Sequence, residues 1–306
     1  MISGKTLLIA HLGFPTETFK SPLIYNPFFE KSGIDAVVVP MGVQAVDFPS
    51  FLPELFKLTN IRGAFVTMPH KKMAIEIADE VSPTAHIAGA ANVVRKRDDG
   101  SLVADLFDGE GFVRGVLRKG RELAQTSALI VGAGGVGSAI AASLAAAGVT
   151  RMGLVDAMGG AAESLGERLT GHYADLTVRI GSADPTGYDL VVNATPLGMN
   201  DGDPLPIDMN LLSSTTFVGE VVMKSAVTPF LRAARERGCE TRVGVDMLFE
   251  QVPANSEFLG FGTATPAEVR KLAQIEYWSD AKSLAHGCGV AHGVGSDSSA
   301  SFENSV

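Results

Sequence analysis

Disulfides and cysteine-built metal sites are the first things this sequence does without. Its 306 residues include two cysteines, Cys239 and Cys288, far apart and in no C-x-x-C pair. That excludes a disulfide framework and a zinc ribbon and suits a reducing cytoplasm. His286 and His292 flank Cys288, but no fourth ligand or scaffold accompanies them, so no metal is expected. Positive charge is also scarce. With 25 Lys and Arg against 34 Asp and Glu the formal net charge is −9, a balance unsuited to nucleic acid or an anionic membrane. The N-terminus, Met1 to His11, lacks the long apolar core and cleavage site of a signal peptide. One uncharged run, Thr126 to Thr150, is long enough to span a bilayer, but its glycine cluster would break a membrane helix. It reads instead as a buried strand followed by a buried small-residue helix. These absences predict a cytoplasmic protein that binds neither nucleic acid nor a membrane.

What is present is more specific. The run Ser127-Ala128-Leu129-Ile130-Val131 leads straight into Gly132-Ala133-Gly134-Gly135-Val136-Gly137, and a second strand, Met152 to Val155, ends at Asp156. This is a strand, a G-x-G-x-x-G turn, a helix and a carboxylate in the order that binds a dinucleotide. Gly132 permits the tight turn, Gly134 lets the backbone approach a pyrophosphate, and Gly137 allows close helix–strand packing. The helix N-terminus offers N–H groups and a positive dipole end to the phosphates. Asp156 is placed to accept hydrogen bonds from an adenosine ribose, with capping of the next helix as its other reading.

The length suits two domains. Before the fingerprint, Leu7–Ala10, Ala36–Val39 and Gly63–Met68 read as strands, with helices opening at Ser21-Pro22 and at Pro69. Ala91–Arg95 and Ser101–Leu106 form a hairpin across Asp98-Asp99-Gly100. Such alternation predicts an α/β chain with a mainly parallel sheet. A second series follows at 128–131, 152–155, 177–180, 190–193, 217–222 and 241–244. Met247 to Gln251 then begins a return to the first domain, and the capping box Thr265-Pro266-Ala267-Glu268 opens a final helix to about Leu284. The expected boundaries are 1–113 for a substrate domain, 114–244 for a dinucleotide domain, 245–284 for returning helices and 285–306 for a Gly/Ser-rich disordered tail.

Several ordered motifs identify a relationship. Phe65-Val66-Thr67-Met68-Pro69-His70-Lys71 is similar to N-V-T-x-P-H-K, Gly89-Ala90-Ala91-Asn92-Val93 to G-A-x-N-T, and Leu106-Phe107-Asp108-Gly109-Glu110-Gly111-Phe112 to N-T-D-x-x-G-F. Asn193-Ala194-Thr195-Pro196-Leu197-Gly198-Met199 reproduces N-A-T-P-x-G-M, and Thr228-Pro229 opens a close copy of T-P-L-L-x-x-A-x-x-x-G ending at Gly238. The chain thus resembles the shikimate/quinate dehydrogenase family up to about residue 280. The resemblance implies a substrate domain beside a Rossmann domain. It implies hydride transfer between NAD and a ring hydroxyl of shikimate, quinate or a related cyclic hydroxy acid, in a monomer or homodimer. It makes Lys71 and Asp108 the catalytic pair, without deciding which is the formal base, and reads His70 as structural. By matching position it assigns Ser21, Thr67, Asn92 and Gln251 to the substrate, with Ser21 equally readable as a helix cap. It adds Val221, Met223, Gly244 and Met247 to Asn193, Ala194, Thr195, Pro196 and the glycine loop around the cofactor.

The departures from the family pattern are informative. The S-x-S-P that grips the substrate carboxylate becomes Phe19-Lys20-Ser21-Pro22, and the Asn before V-T becomes Phe65. Asn-Thr before the catalytic Asp becomes Leu106-Phe107, Tyr-Asn near the nicotinamide becomes Met223-Lys224, and the second Gly of G-x-G-M-L becomes Asp246. Where NADP-using relatives carry an arginine for the 2′-phosphate, this chain reads Asp156-Ala157-Met158-Gly159, which predicts NAD. Shikimate itself is expected to be a poor substrate. Two other readings remain at this stage, a non-catalytic NAD(H) sensor and a folate-type methylene dehydrogenase. A proton-shuttling Lys71/Asp108 pair weighs against the sensor.

Overall fold

The apolar runs become the central strands of two six-stranded sheets. The computed structural model describes residues 2–17, 19–225 and 227–275. The first sheet has the order β2-β1-β3-β5-β6-β4, built from β1 (Leu7–Gly13), β2 (Ala36–Gly42), β3 (Ile61–Val66), β4 (Glu80–Val81), β5 (Val93–Lys96) and β6 (Leu102–Asp105). Only β5 runs against its neighbours. The β5–β6 hairpin turns at Gly100, whose φ of 91° fits the expected Asp-Asp-Gly turn. The second sheet is wholly parallel, in the order β12-β11-β10-β7-β8-β9. It comprises β7 (Ser127–Val131), β8 (Arg151–Val155), β9 (Thr177–Ile180), β10 (Leu190–Asn193), β11 (Phe217–Glu220) and β12 (Thr241–Arg242). Strand order reverses between β7 and β10, and such a reversal opens a crevice beyond the strands' carboxyl ends where ligands bind.

One face of the first sheet is covered by α1 (Ser21–Ser32), α9 (Asp246–Glu250), α10 (Val252–Leu259) and α11 (Pro266–Leu272), whose apolar residues join Ile9, Phe65, Val93 and Phe107 in one core. The other face packs under α2 (Phe48–Leu55), α3 (Lys71–Ile77) and α4 (Pro83–Ala88). The chain therefore returns to the first sheet after the second, as expected. Arg62 Nε donates to the Leu259 carbonyl at 2.6 Å and Arg95 Nη1 to that of Phe258 at 3.0 Å.

Between the sheets runs α5 (Asp108–Arg118), packed on α6 (Gly135–Ala146) and on α9. The approach of α5 to α6 requires glycine: a Cβ on Gly109 would lie 2.0 Å from the Ala139 carbonyl oxygen. The run from Thr126 to Thr150 is β7 followed by α6, both buried, and among the described residues no helix is long and apolar enough to cross a membrane.

Three expectations need correction. The final helix stops at Leu272 rather than near Leu284, because Ala273 turns extended and Gln274 N–H bonds to the Leu23 carbonyl at 2.8 Å, tying the chain to α1. The expected tail at 285–306, with His286, Cys288 and His292, lies outside the described residues. The helix expected at Pro69 begins at Lys71, since Thr67 to His70 closes a turn through His70 N–H and the Thr67 carbonyl at 2.9 Å. Ser21 is not a helix cap: Lys20 holds that position, and Ser21 is the first residue of α1.

The departure at Asp246 also finds its reason here. Its buried carboxylate bonds Arg270 at 3.1 Å, and Arg270 also reaches Glu250 at 2.9 Å. Arg242, fully buried over the Phe112 ring at 4.7 Å, donates to the Gly111 carbonyl at 3.1 Å; burial pushes its guanidinium down to about 10, and Asp246 and Glu250 oppose that shift. A glycine at 246 would leave this cluster of cations one carboxylate short.

Candidate active site

At the carboxyl end of β3 the chain turns into α3, and at the carboxyl end of β6 it turns into α5. These two turns bring Lys71 and Asp108, the first residues of their helices, face to face. Lys71 Nζ lies 2.6 Å from Asp108 Oδ2, with the side chains 23% and 10% exposed. Asn92, at the start of β5, organises the pair. Its Nδ2 donates to Asp108 Oδ1 at 3.0 Å and to Gln251 Oε1 at 3.2 Å, while its Oδ1 accepts from Phe107 N–H at 3.0 Å. Asp108 therefore spends both oxygens on Lys71 and Asn92 rather than on capping α5, whose cap position is Phe107.

Lys71, Asp108, Asn92 and Gln251 thus form one connected group. The hydroxyls of Ser21 and Thr67 bond to no described residue, and Thr67 stands beside Phe19 against the end of β1, where a Cβ on Gly13 would strike both. His70 serves the scaffold: its Nε2 pairs with the Val43 carbonyl at 2.8 Å, and its ring stacks on Phe48 at 4.2 Å.

The glycine loop lies at the ends of β7 and β10. Gly132 has φ of 105°, and a Cβ there would meet the Ala194 backbone at 2.8 Å. A Cβ on Gly137 would sit 1.9 Å from the Gly132 carbonyl, which accounts for both glycines. Beyond Gly134 and Gly135, by contrast, a Cβ would meet nothing within 4 Å. This open space faces the N-terminus of the 12-residue α6, the kind of cradle that accepts a pyrophosphate. Asp156, at the end of β8, accepts from Ala133 N–H at 2.6 Å and from Met158 N–H at 2.7 Å. It does not cap α7 (Ala161–His172), where Gly160 does. Its carboxylate is therefore fixed beside the glycine loop.

The 193–196 segment is braced by its own side chains: Asn193 Oδ1 accepts from Thr195 N–H and Oγ1, and its Nδ2 donates to the Leu197 carbonyl at 2.9 Å. Val221 N–H bonds the Asn193 carbonyl at 3.2 Å. Gly244 lets the returning chain cross Val222, whose carbonyl oxygen would lie 2.2 Å from a Cβ. Met247 is buried in the core below, and Met223 is 37% exposed.

A family model described as the shikimate dehydrogenase substrate binding domain matches residues 12–94, and a ThiF family model matches residues 113–157. A shikimate dehydrogenase (NADP(+)) of Rubrobacter xylanophilus is 35% identical over 277 residues, covering 89% of this chain and 97% of its own. The chain belongs to the shikimate dehydrogenase family. Its fold agrees with solved members: the shikimate 5-dehydrogenase of Listeria monocytogenes, in complex with shikimate and NAD, superposes with a TM-score of 0.83 at 26% identity, covering 88% of this chain and 97% of its own. A 5-ketofructose reductase of Gluconobacter sp. strain CHM43 superposes with a TM-score of 0.82 at 26% identity, covering 89% and 99%. This is a nicotinamide-dependent oxidoreductase family acting on CH–OH groups, and the two-domain Rossmann-type architecture expected from the sequence is present.

Four site features were not singled out from the sequence. His11 interrupts an apolar strand. Tyr25 lies one helical turn after Ser21, and Asn255 one turn after Gln251; Asn255 Nδ2 donates to Tyr25 Oη at 2.9 Å. Helical i, i+4 spacing is the signal that pairs each with an assigned neighbour. Glu220, fully buried at the end of β11, accepts from Thr228 Oγ1 at 2.8 Å. Burial pushes its carboxyl up to about 7. The native state thus holds a proton that the unfolded chain releases above about 4.5, so this group makes stability fall as pH rises from about 4.5 to 7. Glu220→Gln removes that dependence. Urea midpoints of the two proteins should diverge in favour of the Gln variant across this window and stay parallel above it. Parallel profiles throughout would show that Glu220 does not titrate there.

Proposed function

We propose that this protein is an NAD-dependent dehydrogenase that oxidises a ring hydroxyl of shikimate, quinate or a related cyclic hydroxylated compound, reversibly, in the cleft between its two sheets. The observation that carries the proposal is the Lys71–Asp108 contact at 2.6 Å, with Asn92 and Gln251 on the same pair. Oxidation of a secondary alcohol requires a proton to leave the hydroxyl oxygen as hydride leaves the carbon. Bound along the glycine loop, NAD supplies the hydride acceptor. Lys71 and Asp108 hold the departing proton between them, and the Lys71 ammonium stabilises charge developing on the substrate oxygen. Asn92 fixes the carboxylate, and Gln251 joins the substrate-facing side of the group. A panel of cyclic hydroxy acids and uncharged keto-sugars, the latter suggested by the similar 5-ketofructose reductase, followed by absorbance of the reduced nicotinamide, tests the reading. No NAD-linked turnover with any of them would overturn it.

The cofactor preference rests on Asp156. Its carboxylate, fixed beside the glycine loop, would accept the ribose hydroxyls, and its charge opposes a 2′-phosphate. The following Ala157-Met158-Gly159 brings no cation. NAD should be used in preference to NADP, although the Rubrobacter relative is named for NADP(+). Asp156→Ala should raise the KM for NAD and narrow the ratio of the two cofactors' kcat/KM. A wild-type preference for NADP would remove the ribose role from Asp156.

A further inference from the structure

His11 is a buried polar side chain that the chemistry above leaves unused. It stands on β1 opposite Phe65 of β3 and is 6% exposed. Its ring stacks on Phe19 with centroids 4.1 Å apart and meets Phe65 edge-on at 6.2 Å. Nδ1 is buried and has no hydrogen-bond partner among the described residues. An orphaned ring nitrogen costs stability, and an aliphatic side chain would fill the same strand position without that cost. The ring is also within electrostatic reach of the Lys71 ammonium. Burial first, and that charge second, push the imidazole down to about 4, so at neutral pH it is uncharged, with one donor and one acceptor nitrogen.

Its location gives the group a role. Phe19 and Phe65 occupy the two positions where the family motifs carry polar residues, and His11 touches both rings. Thr67 and Phe19 crowd the same end of β1 around Gly13. Behind Phe65, Tyr25 packs at 4.7 Å between ring centroids. Of the cations near this end of the cleft, Lys71 is engaged by Asp108, and Lys20, at the cap position of α1, is exposed to solvent. A carboxylate placed here would lose its hydration to aromatic faces and a neutral imidazole, and burying an uncompensated charge is expensive. A hydroxyl or carbonyl oxygen would lose far less and would pair with the ring's other nitrogen, Nε2, since Nδ1 is closed to solvent.

We propose that His11 is a substrate-binding residue that hydrogen-bonds an uncharged oxygen substituent, so that the cleft favours hydroxylated ring compounds lacking a free carboxylate at that end. This deepens the function proposed above and rests on it for the position of the substrate. Calorimetric titration of the NAD-saturated protein with shikimate and with methyl shikimate tests it, since the ester replaces that charge with a small methyl ester and leaves the ring hydroxyls unchanged. The ester should bind at least about tenfold more tightly. His11→Val should weaken ester binding about tenfold, the range of a lost buried hydrogen bond, and shikimate binding less than about threefold. His11→Gln, which keeps a donor and an acceptor, should recover most of the loss. A preference below tenfold, no binding of the ester, or a valine variant that binds it like wild type would overturn the assignment. Ester binding with this pattern but without hydride transfer would instead refute the proposed function and leave the role of His11 standing.

Discussion

Lys71→Ala should lower kcat by about 10²–10⁴-fold, the usual range for a positioned acid/base, while the affinity for NAD stays within about threefold of wild type. Lys71 opens α3 in the first sheet's half of the molecule, whereas the glycine loop belongs to β7 and α6 of the second. The substitution therefore removes the group proposed to handle the proton without touching the glycine loop. Its partner Asp108, with its side chain 10% exposed, loses its cation but keeps Asn92, so the variant's folding should be checked by urea denaturation beside the kinetics. Lys71→Arg separates two contributions. A guanidinium preserves the charge but does not give up its proton near neutral pH. It should restore much of the substrate affinity and little of the turnover. Steady-state kinetics with a cofactor titration decide the matter, and unchanged kcat in the alanine variant would exclude Lys71 from proton transfer.

Shikimate should be turned over with a kcat/KM below about 10⁵ M⁻¹s⁻¹, toward the low end of ordinary enzymes. Each missing hydrogen bond to a charged group costs about 1.5–3 kcal/mol, and the polar groups of the family pattern are absent at Phe19 and at Phe65. Two such losses correspond to roughly 10²–10⁴-fold, at about 1.4 kcal/mol per factor of ten. Both rings are also committed to other contacts. Phe19 lies flat on His11, and Phe65 is 5% exposed against Tyr25 and His11. Lys20, the one nearby residue whose charge could compensate, sits at the exposed cap position of α1. Ser21 and Thr67 still offer hydroxyls, which is why weak turnover is expected rather than none. A measured kcat/KM above that value would show that the remaining hydroxyls suffice to hold the carboxylate.

The second sheet was legible almost strand by strand because its central strands are buried apolar runs bounded by turn residues. Thr177–Ile180 and Leu190–Asn193 have the expected limits. At its far edge, 217–222 shortens to Phe217–Glu220 and 241–244 to Thr241–Arg242, since the chain there leaves the ladder to cross at Gly244. The first sheet hid more. In α2, FPSFLPEL carries two prolines and reads as a broken segment, yet Phe48, Leu52 and Leu55 still turn one apolar face inward. The strand β4 is two residues long, too short for any periodicity. The Lys71–Asp108 pairing was legible through motif resemblance, since 37 residues separate the partners. His11 and the Tyr25–Asn255 contact were not, because their meaning depends on which rings and nitrogens face them when α1, α10 and the loop at Phe19 fold onto the first sheet.

The position of Asp108 is governed partly by an atom that glycine lacks. Asp108 begins the helix whose next residue, Gly109, lies against the backbone of α6 at Ala139, about one turn from the α6 N-terminus proposed to hold the cofactor's phosphates. Two lever arms, one carrying the carboxylate and one carrying the phosphates, are thus clamped backbone to backbone a single residue from the carboxylate. Asp108 is therefore held twice, by β6 and Asn92 of the first sheet and by the contact of α5 with α6 of the second. A methyl group added at Gly109 would push the carboxylate away from Lys71 and Asn92 together.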